Sequence, residues 1–174
     1  MNFTLKEAME ILERTPKTLE SFLSGLSDGW LQSNEGEGTW NAAEVVEHLI
    51  EAERNNWIPR LELILQERLD KPFPVFDRFA HLNSATEKSI EQTLLDFKTI
   101  RAQNIMLLKE RIKPDVHLEL TGLHPEFGDV KLRELPSTWV VHDFTHISQI
   151  VRVMAKRYSS DVGPWQAYLS ILNK

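Results

Sequence analysis

Apolar residues recur at helical spacing in four separate segments, and this pattern points to an all-α fold. The first segment opens at Thr4, with Glu7 completing a capping box, and carries Leu5, Met9 and Leu12. It resumes after Thr15-Pro16 as Leu19, Phe22, Leu23 and Leu26, which predicts a kink at the proline. Ser27-Asp28-Gly29 stops it, and a polar, glycine-rich loop over 33–38 follows. The second segment opens at Asn41 with Glu44 as its box partner and places Val45, Leu49 and Ala52 on one face. It is expected to run toward Leu69, distorted before Pro59. Beyond a proline-bearing connector over 71–83, a third box (Ser84, Glu87) starts a helix through Ile90, Leu94, Phe97, Leu107 and Leu108 to Lys113-Pro114. Turn formers fill 115–129, and no strand of any length is expected there. The fourth helix covers roughly 132–158, with Pro136 marking either a kink or its true start.

Four long amphipathic helices in 174 residues describe one domain over 1–174. The expected architecture is a four-helix bundle with long connectors and a short C-terminal tail helix, opened by Gly163-Pro164-Trp165, that packs back on it. Apolar content of 41% excludes a disordered chain, and no apolar run is long enough for a membrane span. The first residues lack the basic cluster and apolar core of a secretory signal, so a cytoplasmic location is expected. The net charge of −6, with no block of Lys and Arg, argues against a nucleic-acid partner. Cysteine is absent, so any bound metal must use His, Asp or Glu.

His142 and His146 are four apart on the fourth helix, on the stripe of Trp139, Gln149 and Val153 that faces the bundle interior or its mouth. On the second helix His48 lines up with Val45 and Ala52. Inward imidazoles lose hydration and must be hydrogen-bonded or coordinated, and the spacing alone leaves both solutions open. His142-Asp143-Phe144-Thr145-His146 looks like the H-E-x-x-H pattern of zinc proteases, but nothing after His146 is His or Glu to complete such a site. The Glu-x-x-His pairs of bundle di-iron sites are missing too. A third ligand must come from upstream, where His48 is best placed.

The segment Trp40 to Leu49 resembles the W-[ST]-x-x-E-x-x-x-H-L signature of the DinB-like (YfiT-like) metal-binding four-helix-bundle family. The segment His142 to Ile150 resembles its H-D-x-x-H-x-x-Q-I signature. Phe76-Asp77-Arg78-Phe79-Ala80 and His124-Pro125-Glu126-Phe127-Gly128 are similar to connector motifs of that family. Asn41 replaces the usual Ser or Thr as an equivalent cap. The resemblance implies one divalent ion, commonly nickel, zinc or iron, on His48, His142 and His146, with remaining positions open to water or substrate. It also implies a metal-dependent enzyme acting on a small molecule. A transferase that activates a low-molecular-weight thiol is the first expectation, a hydrolase the second, and a non-catalytic metal- or ligand-binding stress protein the third. Relatives of this kind make a homodimer plausible.

Other polar residues divide between two readings. Arg101 and Asn104 lie near the seam of the third helix and are candidates for gripping a substrate carboxylate, or for an internal ion pair with an acid of the second helix. Asp143 follows a ligand candidate directly and so points to another sector of its helix, where it can brace the ligands from a neighbouring helix. His124 belongs to a loop able to cap the site, while His81 and His117 are expected at the surface. The tryptophans are expected to pack the core and the mouth. No nucleophile elbow and no phosphate-binding glycine loop is present.

Overall fold

The computed structural model describes residues 2–67, 69–83 and 88–173. Helix α1 (Leu5–Leu23) is capped by Thr4, whose side chain accepts the Glu7 N–H. It runs unbroken through Pro16. The short α2 (Asp28–Leu31) precedes α3 (Ala42–Asn55), where Asn41 and Glu44 form both halves of the expected capping box. The second segment is two helices rather than one distorted helix. Asn56, at φ −117° and ψ −63°, breaks it, and α4 (Trp57–Gln66) follows directly. Pro59 accounts for the break, because it has no N–H for the carbonyl one turn earlier.

The Ser84 and Glu87 box lies outside the described residues, and α5 (Ile90–Arg111) begins later, capped by Ser89. After α6 (Pro114–His117), the turn-rich stretch corrects the strandless expectation. Strands β1 (Thr121–His124) and β2 (Gly128–Lys131) pair antiparallel, and Gly128 at φ 71° closes their turn. Runs of four residues are too short for a period-2 pattern to stand out among turn formers. Helix α7 (Glu134–Lys156) holds Pro136 in its first turn, where a missing N–H costs nothing, so the proline marks the start. The tail forms two 3₁₀ turns, Gly163–Tyr168 and Ser170–Leu172, of which the second touches α7. Trp165 and Tyr168 stay exposed.

Helices α1 and α3 each pack against both α5 and α7, so the first two long helices stand on the diagonal of the bundle. The interior has two apolar layers. Leu5, Leu12, Leu61, Ile64, Leu108 and Trp139 belong to one, and Leu19, Leu23, Val45, Leu49, Phe97 and Ile150 to the other. A polar belt lies between them. Arg101 donates to Glu53, to both oxygens of Asp143 and to the Leu12 carbonyl. Leu12 is four residues before Pro16, so the proline leaves its carbonyl without a helical donor and Arg101 supplies one.

The hairpin packs on α4 and on Phe73, whose N–H bonds the Leu123 carbonyl at 2.9 Å. Gly122 permits this approach, since a Cβ there would stand 2.6 Å from Ile64 Cγ1 and 2.9 Å from the Phe73 ring. Gly122→Ala is expected to cost about 1–3 kcal/mol by overpacking, read as a lower urea midpoint at unchanged slope. A loss under a few tenths would show that the hairpin yields.

Candidate metal centre

Three imidazoles meet where α3 faces α7. The capping box at Asn41 fixes the start of α3 and thereby the angle at which His48 projects. One turn of α7 separates His142 from His146. The ligand-type nitrogens of the three histidines lie within 4.8 Å of one another. His142 Nε2 stands 3.2 Å from both His48 Nε2 and His146 Nε2.

Outer hydrogen bonds fix two of the tautomers. The Arg78 carbonyl can only accept, so His48 Nδ1 carries the proton and donates to it at 3.1 Å. His146 Nδ1 donates to Gln149 Oε1 at 2.8 Å. Both Nε2 atoms are thus bare lone pairs turned toward His142. A proton on His142 Nε2 can serve only one of them, and His142 Nδ1 is buried without a partner. Hydrogen bonding among the three therefore leaves at least one lone pair unmatched, whereas a cation matches all three. Nitrogens about 2.1 Å from a tetrahedral ion stand about 3.4 Å apart, close to the spacing here. The donor set fits a divalent ion.

Burial favours the neutral form of all three imidazoles. It lowers the His48 pKa to about 4 and the His142 pKa to about 3, helped in each by the neighbouring histidines. Burial lowers that of His146 as well, opposed by Gln149 and Asp143. Imidazoles with depressed folded pKa values stay neutral where the unfolded chain is already taking up protons. Their contribution is therefore complete above about pH 6.5 and lost as pH falls toward 4. The thermal midpoint of chelator-treated protein should drop across that window, and less steeply in His142→Asn. Equal slopes for the two proteins would contradict this assignment.

The other candidates fall in two places. Arg101 and Asp143 are buried in the polar belt, where Arg101 engages all five of its N–H groups. Burial opposes the guanidinium charge, but Glu53 and Asp143 outweigh it and raise its pKa. Asn104 donates to the Glu53 carbonyl and carboxylate. The donors of Arg101 and Asn104 are all directed inward, Arg101 in the ion pair with an acid of the second helical segment that was the alternative to a substrate contact and Asn104 in hydrogen bonds to the same acid. Asp143 pairs across the helix seam and places its negative charge behind His146. His81 is buried rather than exposed, edge-on to Trp40 at 4.5 Å, and neither ring nitrogen has a partner. His117 is half-buried, its Nδ1 near the Arg111 carbonyl. His124 sits at the end of β1, against the cavity described next.

The three histidines open onto a cavity of about 540 Å³. Trp40, Trp57, Phe73, Phe76 and Phe127 supply its apolar walls, and Asn56, Arg60, Arg78, Glu134 and Thr138 its polar ones. Trp57 meets His142 edge-on at 5.2 Å and stacks on Trp139, which donates its indole N–H to Glu53. Sequence reasoning did not single out Glu53 or Arg60. Glu53 was detectable as a lone acid on the Leu49–Glu53–Trp57 stripe. Arg60 was detectable as a lone cation in a largely apolar helix.

The DinB superfamily profile matches residues 11–150. The chain belongs to the DinB superfamily. Among DinB-like relatives, a Geobacillus kaustophilus protein named "putative metal-dependent hydrolase" is 26% identical over 156 residues, 88% of this chain and 85% of that protein. The bundle resembles YfiT from Bacillus subtilis, described as a probable metal-dependent hydrolase with an unusual four-helix bundle topology. That match has a TM-score of 0.74 and 20% identity, over 93% of this chain and 91% of YfiT. Diagonal placement of the first two long helices is the notable topological feature of this DinB-like bundle. Among the described residues, no helix is long and apolar enough to cross a membrane.

Proposed function

We propose that the chain is a metal-dependent enzyme in which His48, His142 and His146 hold one divalent ion, zinc, nickel or iron, beside a substrate cavity. The observation that carries this reading is the convergence of three imidazoles, two of them buried and with Nε2 left bare and His142 half-buried between them, on the wall of an open apolar cavity. Three neutral ligands leave the ion its full charge and an open position, the arrangement of catalytic rather than structural sites. When bound, such an ion supplies Lewis acidity that lowers the pKa of a thiol or a water at that position.

The chain's own residues favour a thiol. Among the described residues no carboxylate joins the histidine cluster. Glu134, an acid on the cavity wall, accepts the Lys131 N–H through Oε2. With no carboxylate in that cluster, a thiol of pKa about 8.5 ionises far more readily than water at 15.7. Trp40, Trp57 and Phe76 would exclude water from the bound thiol and hold the apolar part of the second substrate. The reaction this favours forms a bond between the sulfur of a low-molecular-weight thiol and an electrophilic carbon, breaking that carbon's bond to its leaving group, which departs with the thiol proton. Hydrolysis is the second reading, supported by the names of the two relatives.

The test is to load the protein with zinc, nickel or ferrous iron and assay monochlorobimane conjugation to cysteine beside hydrolysis of p-nitrophenyl acetate. Metal-dependent conjugation that disappears in His142→Ala supports thiol transfer. Ester cleavage with the same dependence, and no conjugation, moves the assignment to hydrolysis.

A further inference from the structure

Arg60 is an uncompensated cation on the cavity wall. Its neighbours three and four residues away along α4 are Asn56, Trp57, Leu63 and Ile64, so no carboxylate reaches it along the helix. The side chain is half-buried, its Nε is sealed from solvent without an acceptor, and the guanidinium carbon lies 5.4 Å from the Phe73 ring centroid. Two other arginines show what the fold does with guanidinium groups it needs for itself. Arg101 is saturated by Glu53 and Asp143, and Arg152 is bidentate on Glu35. Among the described residues Arg60 has no ion pair, and burial lowers its pKa with no acid opposing. A half-buried guanidinium with a free fork is costly to keep unless something outside the protein completes it.

A second donor stands on the same wall. His124 Nδ1 accepts the backbone N–H groups of Glu126 and Phe127, each at 3.2 Å, so the imidazole proton is on Nε2. Burial and the Arg60 charge both lower the His124 pKa, which keeps this donor neutral. Phe127 stacks on the imidazole at 4.5 Å and holds its plane. A charged fork and a neutral N–H among aromatic walls match a carboxylate attached to an apolar body.

We propose that Arg60, assisted by His124 Nε2–H, anchors the carboxylate of a substrate whose apolar part lies against Trp57, Phe73 and Phe76 and whose reacting group reaches the three histidines. The last clause rests on the metal reading given above; the carboxylate contact does not. The substrates are thereby narrowed to small carboxylic acids of aromatic or aliphatic body, either the thiol itself or its electrophilic partner.

The experiment uses probes that bind without metal. Quenching of tryptophan fluorescence is titrated with 3-phenylpropionate and with the neutral 3-phenylpropanol, on chelator-treated and on zinc-loaded protein. The acid should bind about 10- to 100-fold more tightly than the alcohol, the worth of a charge-assisted hydrogen bond. Arg60→Met should abolish that preference while leaving alcohol affinity and zinc content unchanged. For a methionine variant that fails to fold, Arg60→Lys serves instead: it keeps the charge, loses the fork and should retain a reduced preference for the acid. Equal affinity of the wild type for acid and alcohol, an undiminished preference in Arg60→Met, or none in Arg60→Lys overturns the proposal. The two readings fail separately. An acid preference in protein that takes up no zinc removes the metal reading alone, and zinc uptake without an acid preference removes the anchor alone.

Discussion

Arg101→Ala is expected to lower the unfolding free energy by about 3–5 kcal/mol, a large share of the 5–15 kcal/mol typical of a domain. The substitution leaves two carboxylates, Glu53 and Asp143, with essentially no exposure and no cation between them. It also strips the Leu12 carbonyl of the donor that Pro16 cannot replace. Part of the loss comes from this stranded charge rather than from the worth of the pairs themselves. Converting the belt as a whole, with Glu53→Gln, Arg101→Met and Asp143→Leu together, should therefore recover most of the stability. Urea unfolding at neutral pH measures both. A loss below about 1 kcal/mol in Arg101→Ala would mean that water enters the belt and solvates the carboxylates.

Divalent metal should have a comparable effect in the opposite direction. A ligand that binds only the folded chain stabilises it by about 4 kcal/mol at a thousandfold excess over its Kd. For a chain of this length that corresponds to a rise in Tm of roughly 8–16 °C. His142→Ala should abolish the rise, because His142 Nε2 stands against both other ligand nitrogens. The same variant should cost the metal-free protein much less, since the imidazole it removes has an unpaired buried Nδ1. An equal rise of Tm in wild type and variant would place the metal elsewhere on the chain.

The parts of this molecule legible in the sequence are those fixed by local chemistry. Thr4 and Asn41 cap helices because their side chains accept the amide three residues on, a relation visible in any sequence. His142 and His146 share a face by helix geometry alone. His48 had to be brought to them by the fold; its line with Val45 and Ala52 and the lack of a downstream ligand made it the candidate, and the likeness of its flanking residues to a family signature strengthened it. What stayed hidden depends on long-range partners. The sequence cannot show that Arg101 spans from α1 to α3 and α7, which turns a candidate substrate contact into a structural ion pair. Likewise, the hairpin rests on Ile64 and Phe73, an approach that Gly122 permits and that no local strand pattern announces. His81 looked like a loop residue and is buried because Trp40 lies against it.

The central claim is that His48, His142 and His146 bind one metal ion together. Metal content by inductively coupled plasma mass spectrometry, on protein prepared without an affinity tag, tests it most directly alongside the three single alanine variants. The account predicts about one divalent ion per wild-type chain and a loss of that ion in each variant, since three nitrogens and an open position leave no ligand to spare. Wild-type protein that holds no ion after reconstitution, or variants that all retain it, would contradict the account.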